Sequence, residues 1–170
     1  SYEYNAYGEL TKATAPDADT LGGTNRPTTS TTYFATGQVK TATDPVGAVT
    51  GYVYNDLGQL TEVTLPDPDG AGSLASPITR YQYDAAGRRT RQIQTYNAAG
   101  AQELLTQYTF DALDRIKTVT LPDPDDFTSG GGSNGPLASP VTSYAYSAAG
   151  DLASVTDPQG YVTAYVYDAL

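Results

Sequence analysis

The 170-residue chain has no cysteine, histidine, methionine or tryptophan. Without cysteine there is neither a disulfide framework nor a thiol nucleophile, and without histidine the commonest general base is missing. An enzyme built from this inventory would need paired carboxylates, yet most of the 15 Asp stand in turn contexts such as Asn55-Asp56 or Asp-Pro. The chain therefore reads as non-enzymatic, with no catalytic residue, no cofactor and no dedicated metal site. Positive charge is scarce too: 9 Lys and Arg face 19 Asp and Glu, a net charge of −10, and no basic cluster exceeds Arg88, Arg89 and Arg91. Duplex nucleic acid and anionic membranes both require concentrated Lys and Arg, so neither is an expected partner. No apolar run approaches the length of a membrane-spanning helix, and no signal-peptide pattern follows Ser1. The lack of any Met, even at position 1, reads as an excerpt or processed product of a longer protein. The absence of Cys fits either redox compartment, a secreted bacterial protein included.

What the chain does have is Tyr and Thr, with 15 Tyr against 3 Phe and 25 Thr. Both suit a pleated, half-buried surface, and 17 Gly and 11 Pro punctuate them as turns would. The fold class expected is all-β, with many short strands. Residues 101–107, AQELLTQ, are the one stretch with the look of a helical turn or two.

The tyrosines recur in a pattern. Tyr-x-Tyr, a polar residue, two variable residues, Gly, a polar residue and Leu or a relative appears as YEYNAYGEL (2–10), YVYNDLGQL (52–60) and YQYDAAGRR (81–89). It returns as YTFDALDRI (108–116) and YAYSAAGDL (144–152), in degenerate form as TTYFATGQV (31–39), and as a seventh start, YVYDAL (165–170). Its key positions are Tyr2, Tyr4 and Gly8; Tyr33 and Gly37; Tyr52, Tyr54 and Gly58; Tyr81, Tyr83 and Gly87; Tyr108 and Phe110; Tyr144, Tyr146 and Gly150; Tyr165 and Tyr167. Twelve of the 15 Tyr stand at these aromatic positions, so the Tyr excess is the repeat itself.

Each copy reads as a β-hairpin. Rings at i and i+2 share one strand face, and the residue between them points the other way. The following Asn-x-x-Gly or Asp-x-x-Gly is a turn, with Asn or Asp bonding its own backbone and Gly supplying positive φ. A return strand such as 59–65, QLTEVTL, comes next, and Asp44–Gly47 and Asp157–Gly160 make a second tight turn of Asp-Pro-x-Gly. The return strand carries a puzzle: Leu60 and Val63, like Leu152 and Val155, are three apart, which strict alternation places on opposite faces. Either a bulge near the turn or a sheet covered in part on both faces reconciles this. Residues 64–79 and 120–142 replace the second turn with longer segments. They share both ends and differ by seven residues of mostly Gly, Ser and Asn, as a solvent-facing loop allows.

Tyr-x-Tyr-Asp-x-x-Gly-Arg-Leu, followed by Asp-Pro-x-Gly and the next Tyr-x-Tyr-Asp, resembles the YD (tyrosine/aspartate) repeats of the RHS family. YQYDAAGRR, YVYNDLGQL and TDPQGYVTAYVYD are the nearest stretches, and the resemblance covers essentially the whole chain. The family includes bacterial polymorphic toxins, shell subunits of insecticidal Tc toxins, and teneurins. The resemblance implies tandem antiparallel hairpins in a continuous, spiralling sheet, part of a shell or filament that encloses a C-terminal toxin where one is present. Self-cleavage in such toxins uses an Asp-Pro-x-Gly-Leu element. Here both Asp-Pro-x-Gly stretches run into another repeat, so Asp44 and Asp157 read as turn formers. Twelve or so strands about 4.8 Å apart would close into a ring only about 18 Å across, too narrow for a folded toxin of radius of gyration about 13 Å. Encapsulation therefore needs more repeats than residues 1–170 supply as a single array of about six hairpins and a seventh start.

The function expected is a non-enzymatic scaffold, the YD-repeat wall of a secreted or surface RHS-like shell or filament. Its expected partners are further repeats of the same or neighbouring chains and an enclosed toxin domain. The alternative is a cell-surface adhesin that binds glycans through its Tyr ladders and variable loops. Leu-Pro-Asp-Pro-Asp places alternate carboxylates in two loops, Asp67 and Asp69, then Asp123 and Asp125, with Asp126 beside the second pair. Both resemble the opening of a calcium loop but lack its downstream Glu, so solvated turns are the reading adopted.

Overall fold

The computed structural model describes residues 1–16, 26–70, 72, 74–95, 103–125 and 137–168. These contain thirteen strands and no helix, and the strand order in the sheet is the chain order. The chain divides into two compact units, Ser1–Thr79 and Arg80–Leu170. The first holds β1 (Tyr2–Tyr4), β2 (Leu10–Thr14), β3 (Thr28–Tyr33), β4 (Val39–Thr43), β5 (Val49–Tyr54) and β6 (Leu60–Thr64). β7 (Ile78–Tyr83) carries the boundary. The second unit continues with β8 (Arg89–Thr95), β9 (Glu103–Phe110), β10 (Ile116–Thr120), β11 (Val141–Tyr146), β12 (Leu152–Thr156) and β13 (Val162–Ala164).

The three-residue spacing of the return strand is resolved by a bulge. Tyr52 stands opposite Val63 and Val53 opposite Glu62, but Tyr54 stands opposite Leu60, so Thr61 is an extra residue. Leu60 and Val63 thereby both face a tyrosine. The same shift makes Thr11, Lys40, Lys117 and Ala153 the extra residues of their hairpins. A bulge leaves a carbonyl poorly matched, and Thr repairs it: the Oγ1 of Thr11, Thr61 and Thr90 donates to the carbonyls of Glu3, Val53 and Gln82 at 3.2–3.3 Å. Where the extra residue is Lys, a Thr pair on adjacent strands bonds instead, Thr32 with Thr41 and Thr109 with Thr118, each at 2.6 Å. These bonds give a role to seven of the 25 threonines.

Residues 103–107 are strand, against the helical expectation; Ala101 and Gln102 lie outside the described residues. β8 and β9 pair without a bulge from Arg91 opposite Gln107 to Thr95 opposite Glu103. Cross-strand pairing over that length overrides the weak helical preference of Gln, Glu and Leu. The expected strand at Tyr165 also shifts: β13 ends at Ala164, although the Tyr165 N–H still donates to the Ala153 carbonyl. Ala169 and Leu170 of YVYDAL lie outside the described residues, as do Asp126 and the rest of the insertion at 126–136.

Alternation is visible in burial. In β5 and β11 both tyrosines are half-buried, while Val53 and Ala145 between them are exposed. Among the described residues no apolar side chain is buried, and the only buried residue is Asp123, 8% exposed. Stability thus rests on contacts between successive hairpins, the near-additive, neighbour-to-neighbour scheme of repeat folds.

Candidate functional site

The most regular feature is the turn that follows each aromatic pair. In the Asn5 turn the Asn5 N–H donates to the Glu9 carbonyl and the Gly8 N–H to the Asn5 carbonyl, both at 3.0 Å. Asn5 Oδ1 accepts from the N–H groups of Tyr7 and Glu9, also at 3.0 Å. Asn55, Asp84 and Asp111 repeat this set within 2.8–3.1 Å. The Asp-Pro-x-Gly turns at Asp44 and Asp157 use it too, so both ends of these hairpins are closed by one device. The fourth turn residue has positive φ, Gly8 at 80° and Gly58 at 77° among them, and in the YTFDALDRI copy Asp114 adopts φ 63° in place of Gly. Asp tolerates this left-handed conformation better than most non-glycine residues.

The residue after that position completes the turn according to the chemistry of its first residue. Asn5 Nδ2 donates to Glu9 Oε2 at 2.6 Å, and Asn55 Nδ2 to Gln59 Oε1 at 2.8 Å. Where an aromatic pair is followed by Asp, the partner is Arg: Arg88 grips Asp84, and Arg115 grips Asp111, each through Nε and Nη2 at 2.7 Å. The Arg88 hydrogen bond holds the Asp84 carboxyl below its ordinary value, and the Arg115 bond does the same for Asp111. Hydrogen bonding to Asp84 in turn raises Arg88.

These side chains also reach forward to the next repeat. Gln38 Nε2 donates to the Gly58 carbonyl at 2.9 Å. Arg88 contacts the Asp111 carbonyl and the Asp114 carboxylate, and its guanidinium lies 4.7 Å from the Phe110 ring centroid. The Arg115 guanidinium lies 4.2 Å from the centroid of Tyr146; its Nη1, buried without a hydrogen bond among the described residues, has the ring face as its neighbour. Arg89, where other copies have Leu, stands 5.4 Å from Tyr81 and 5.3 Å from Tyr108, bridging the first rings of two repeats.

The second aromatic is the other staple. The hydroxyls of Tyr33, Tyr146 and Tyr167 donate to the carbonyls of Leu10, Ile116 and Leu152, the first residues of the preceding return strands, at 2.8–3.1 Å. This is why the motif prefers Tyr to Phe at that position. Tyr54 instead meets Phe34 edge to face, with centroids 6.1 Å apart. Tyr2 and Tyr4 in the first strand are largely exposed, at 69% and 60%.

The acidic loops hold their carboxylates in local bonds. Asp67 Oδ1 accepts from the N–H groups of Asp69 and Gly70, and Asp69 Oδ2 from Leu74. Asp123 Oδ1 accepts from the Asp125 N–H, and Asp125 Oδ2 from Leu137. A hydrogen bond with the Asp123 side chain, together with the Leu137 N–H, lowers the Asp125 carboxyl. Among the described residues no group of three or more acidic side chains could hold a metal. The base of each long loop is closed by an N–H to a proline carbonyl at 2.9 Å: Ala15 to Pro27, Leu65 to Pro77 and Leu121 to Pro140. The Asp-to-Leu bond spans 5 residues in one loop and 12 in the other, so the seven-residue difference falls between the two anchors.

Sequence reasoning placed the aromatic and Gly positions of the turns but missed the residue that follows each Gly. The signal was present: Asn is followed four residues on by Glu or Gln, and Asp by Arg. A family model for the RHS Repeat matches residues 33–71 and 141–170. Those two segments match the RHS repeat. These segments keep Gly58 or Gly150 and a tight Asp-Pro-x-Gly turn, whereas the unmatched stretch includes Asp114 in place of Gly and Arg89 in place of Leu. No curated protein matches the sequence. Among solved structures, the chain is similar to the crystal structure of TcdB2-TccC3-Cdc42, with a TM-score of 0.64 and 19% identity over 91% of this chain and 7% of that one. The structure of the Photorhabdus luminescens Tc holotoxin pore with the TccC3-D651A mutation has a TM-score of 0.59 and 20% identity, over 88% and 7%. The fold is thus shared, and this chain spans about 7% of those chains' length.

Proposed function

We propose that this RHS-repeat segment is a non-enzymatic structural wall, part of a secreted or surface shell or filament whose partners are further repeats and, where one exists, an enclosed toxin domain. The observation that carries this reading is the pairing of regular stapling with an unburied apolar stripe. Within the units, neighbouring repeats are tied by side chains such as Tyr33, Tyr146 and Arg115, yet among the described residues no apolar side chain is buried. A chain of this length that worked alone as a compact domain would bury much of that stripe. The similarity to segments of much longer Tc toxin chains supports the same reading.

Electron microscopy of the purified full-length protein tests it. Closed shells or filaments with a strand spacing near 4.8 Å are the expected outcome. Discrete compact particles no larger than one 170-residue chain would refute it. A glycan array run in parallel separates the adhesin reading: saturable binding lost on Tyr→Ala changes along one ladder favours adhesion over scaffolding.

A further inference from the structure

Two turns depart from the Asn and Asp pattern: among the described residues Ser147 Oγ accepts from the Asp151 N–H alone, and a second turn lacks the oxygen altogether. The turn at residues 34–37 begins with Phe34, so no side-chain oxygen is available at its first position. Its backbone is unchanged: the Phe34 N–H donates to the Gln38 carbonyl at 2.8 Å, the Gly37 N–H donates to the Phe34 carbonyl at 3.0 Å, and Gly37 has φ 83°. The N–H groups of Thr36 and Gln38 therefore hold the places that in the Asn5, Asn55, Asp84 and Asp111 turns converge on one side-chain oxygen. Among the described residues neither has an acceptor. Departures from local consistency concentrate at functional sites.

This turn borders a cleft of about 860 Å³ in the first unit, within the range of small-molecule sites. Phe34 and Tyr54 line one part of it, meeting at an interplanar angle of 88°. Asp56 and Leu57, from the neighbouring turn, line another; both are exposed, and Asp56 has no ion pair or hydrogen bond among the described residues. The cleft lining thus includes the two residues whose N–H groups lack an acceptor, one carboxylate and aromatic and aliphatic surface. A ligand that fits must accept and donate hydrogen bonds from adjacent atoms and present apolar C–H groups to the rings. The Lys40 ammonium, 5.7 Å from the Phe34 ring centroid, offsets the Asp56 carboxylate locally, and on a chain of net charge −10 a neutral ligand is favoured over an anion.

We propose that the cleft between the Phe34 and Asn55 turns is a binding site for a neutral saccharide, one hydroxyl oxygen accepting from the Thr36 and Gln38 N–H groups and another hydroxyl donating to Asp56. The proposal does not depend on the scaffold reading, because a wall can carry such a site or lack it.

Amide chemical-shift titration of the full chain by NMR with galactose, mannose and N-acetylglucosamine tests it, with glucuronate as the anionic comparison. Saturable shifts centred on Thr36, Gln38, Asp56 and Leu57 for at least one neutral sugar are expected. Phe34→Asn restores the side-chain oxygen inside the turn and should weaken that binding by about tenfold or more, the loss of a well-formed polar contact. Slower hydrogen exchange at Thr36 and Gln38 in the same variant verifies that the turn has closed on itself. Asp56→Ala, a surface change, should weaken binding comparably while leaving exchange at Thr36 unaltered. Silence with all three neutral sugars, undiminished binding in Phe34→Asn, or a preference for glucuronate would each overturn the proposal.

Discussion

The regular turns of residues 1–79 and those of residues 80–170 have one backbone geometry and two chemistries. In the first unit Asn5 and Asn55 donate amide hydrogens to Glu9 and Gln59. In the second, Asp84 and Asp111 accept from Arg88 and Arg115, and the guanidinium groups extend over Phe110 and Tyr146. The backbone bonds are 2.9–3.0 Å in the first and 2.9–3.2 Å in the second. What every copy of the turn requires is a residue able to hold positive φ at its fourth position; the Asn and Asp copies add a first-position oxygen and a donor–acceptor match across the base, and the identities of the matched groups are free to change together. The first unit spends no ion pair on the Asn55 turn, while the second gains cation–π contact between repeats at the expense of sensitivity to protonation.

The comparison breaks most severely at the left-handed position. Gly58→Val places a β-branched residue at φ 77°, with its Cβ 3.3 Å from Gln38 Nε2. A loss of about 2–3 kcal/mol is expected, measured by chemical denaturation. In the second unit Asp114 already occupies that conformation, so Asp114→Gly should show no loss of that size, and equal losses in the two variants would refute the shared geometry.

A smaller effect separates two tyrosines of the same motif position. Tyr146→Phe removes the hydroxyl bonded to the Ile116 carbonyl at 2.9 Å and should lower stability by about 1 kcal/mol. Tyr54→Phe removes a hydroxyl with no such bond and keeps the ring against Phe34, so its denaturation midpoint should barely move.

The smallest effect is in acid. Asp84 and Asp111 are held below the ordinary carboxyl value of 3.8 by their Arg partners, so their contribution is complete above that value and fades as pH falls through the lower folded values. Both pairs keep part of their solvent exposure, which limits the effect. Asp84→Asn with Arg88→Gln transplants the Asn55–Gln59 pairing into the second unit. Hydrogen exchange at Ala86 and Arg88 (Gln in the variant) should then lose its acceleration below pH 4, with little change at neutral pH; an unaltered acid response would show that the pair does not control the turn.

Much of this molecule is legible locally. Tyr-x-Tyr marks the strands because ring spacing of two is a property of one strand, and Asn-x-x-Gly marks the turns because an Asx oxygen and positive φ act within five residues. Residues 103–107 were misread because five residues of Gln, Glu, Leu and Thr carry little conformational preference, and the decision belonged to the facing strand. The chemistry of the turn base was written in the pairs Asn5 with Glu9 and Asp84 with Arg88, but each becomes meaningful only when compared with the others.

By itself, then, the amino-acid sequence determined a tandem array of antiparallel hairpins, the positions of their turns and the places where loops lengthen, since each depends on neighbours in the chain. Tertiary structure alone decided that a bulge at Thr61 turns Leu60 and Val63 to the same face, that Tyr33 and Tyr146 reach the carbonyls of Leu10 and Ile116, and that Arg115 caps the ring of Tyr146. Those are relations between strands, set by register: the three-residue spacing of Leu60 and Val63 admitted a bulge, but only the facing strand chose it over a sheet covered in part on both faces.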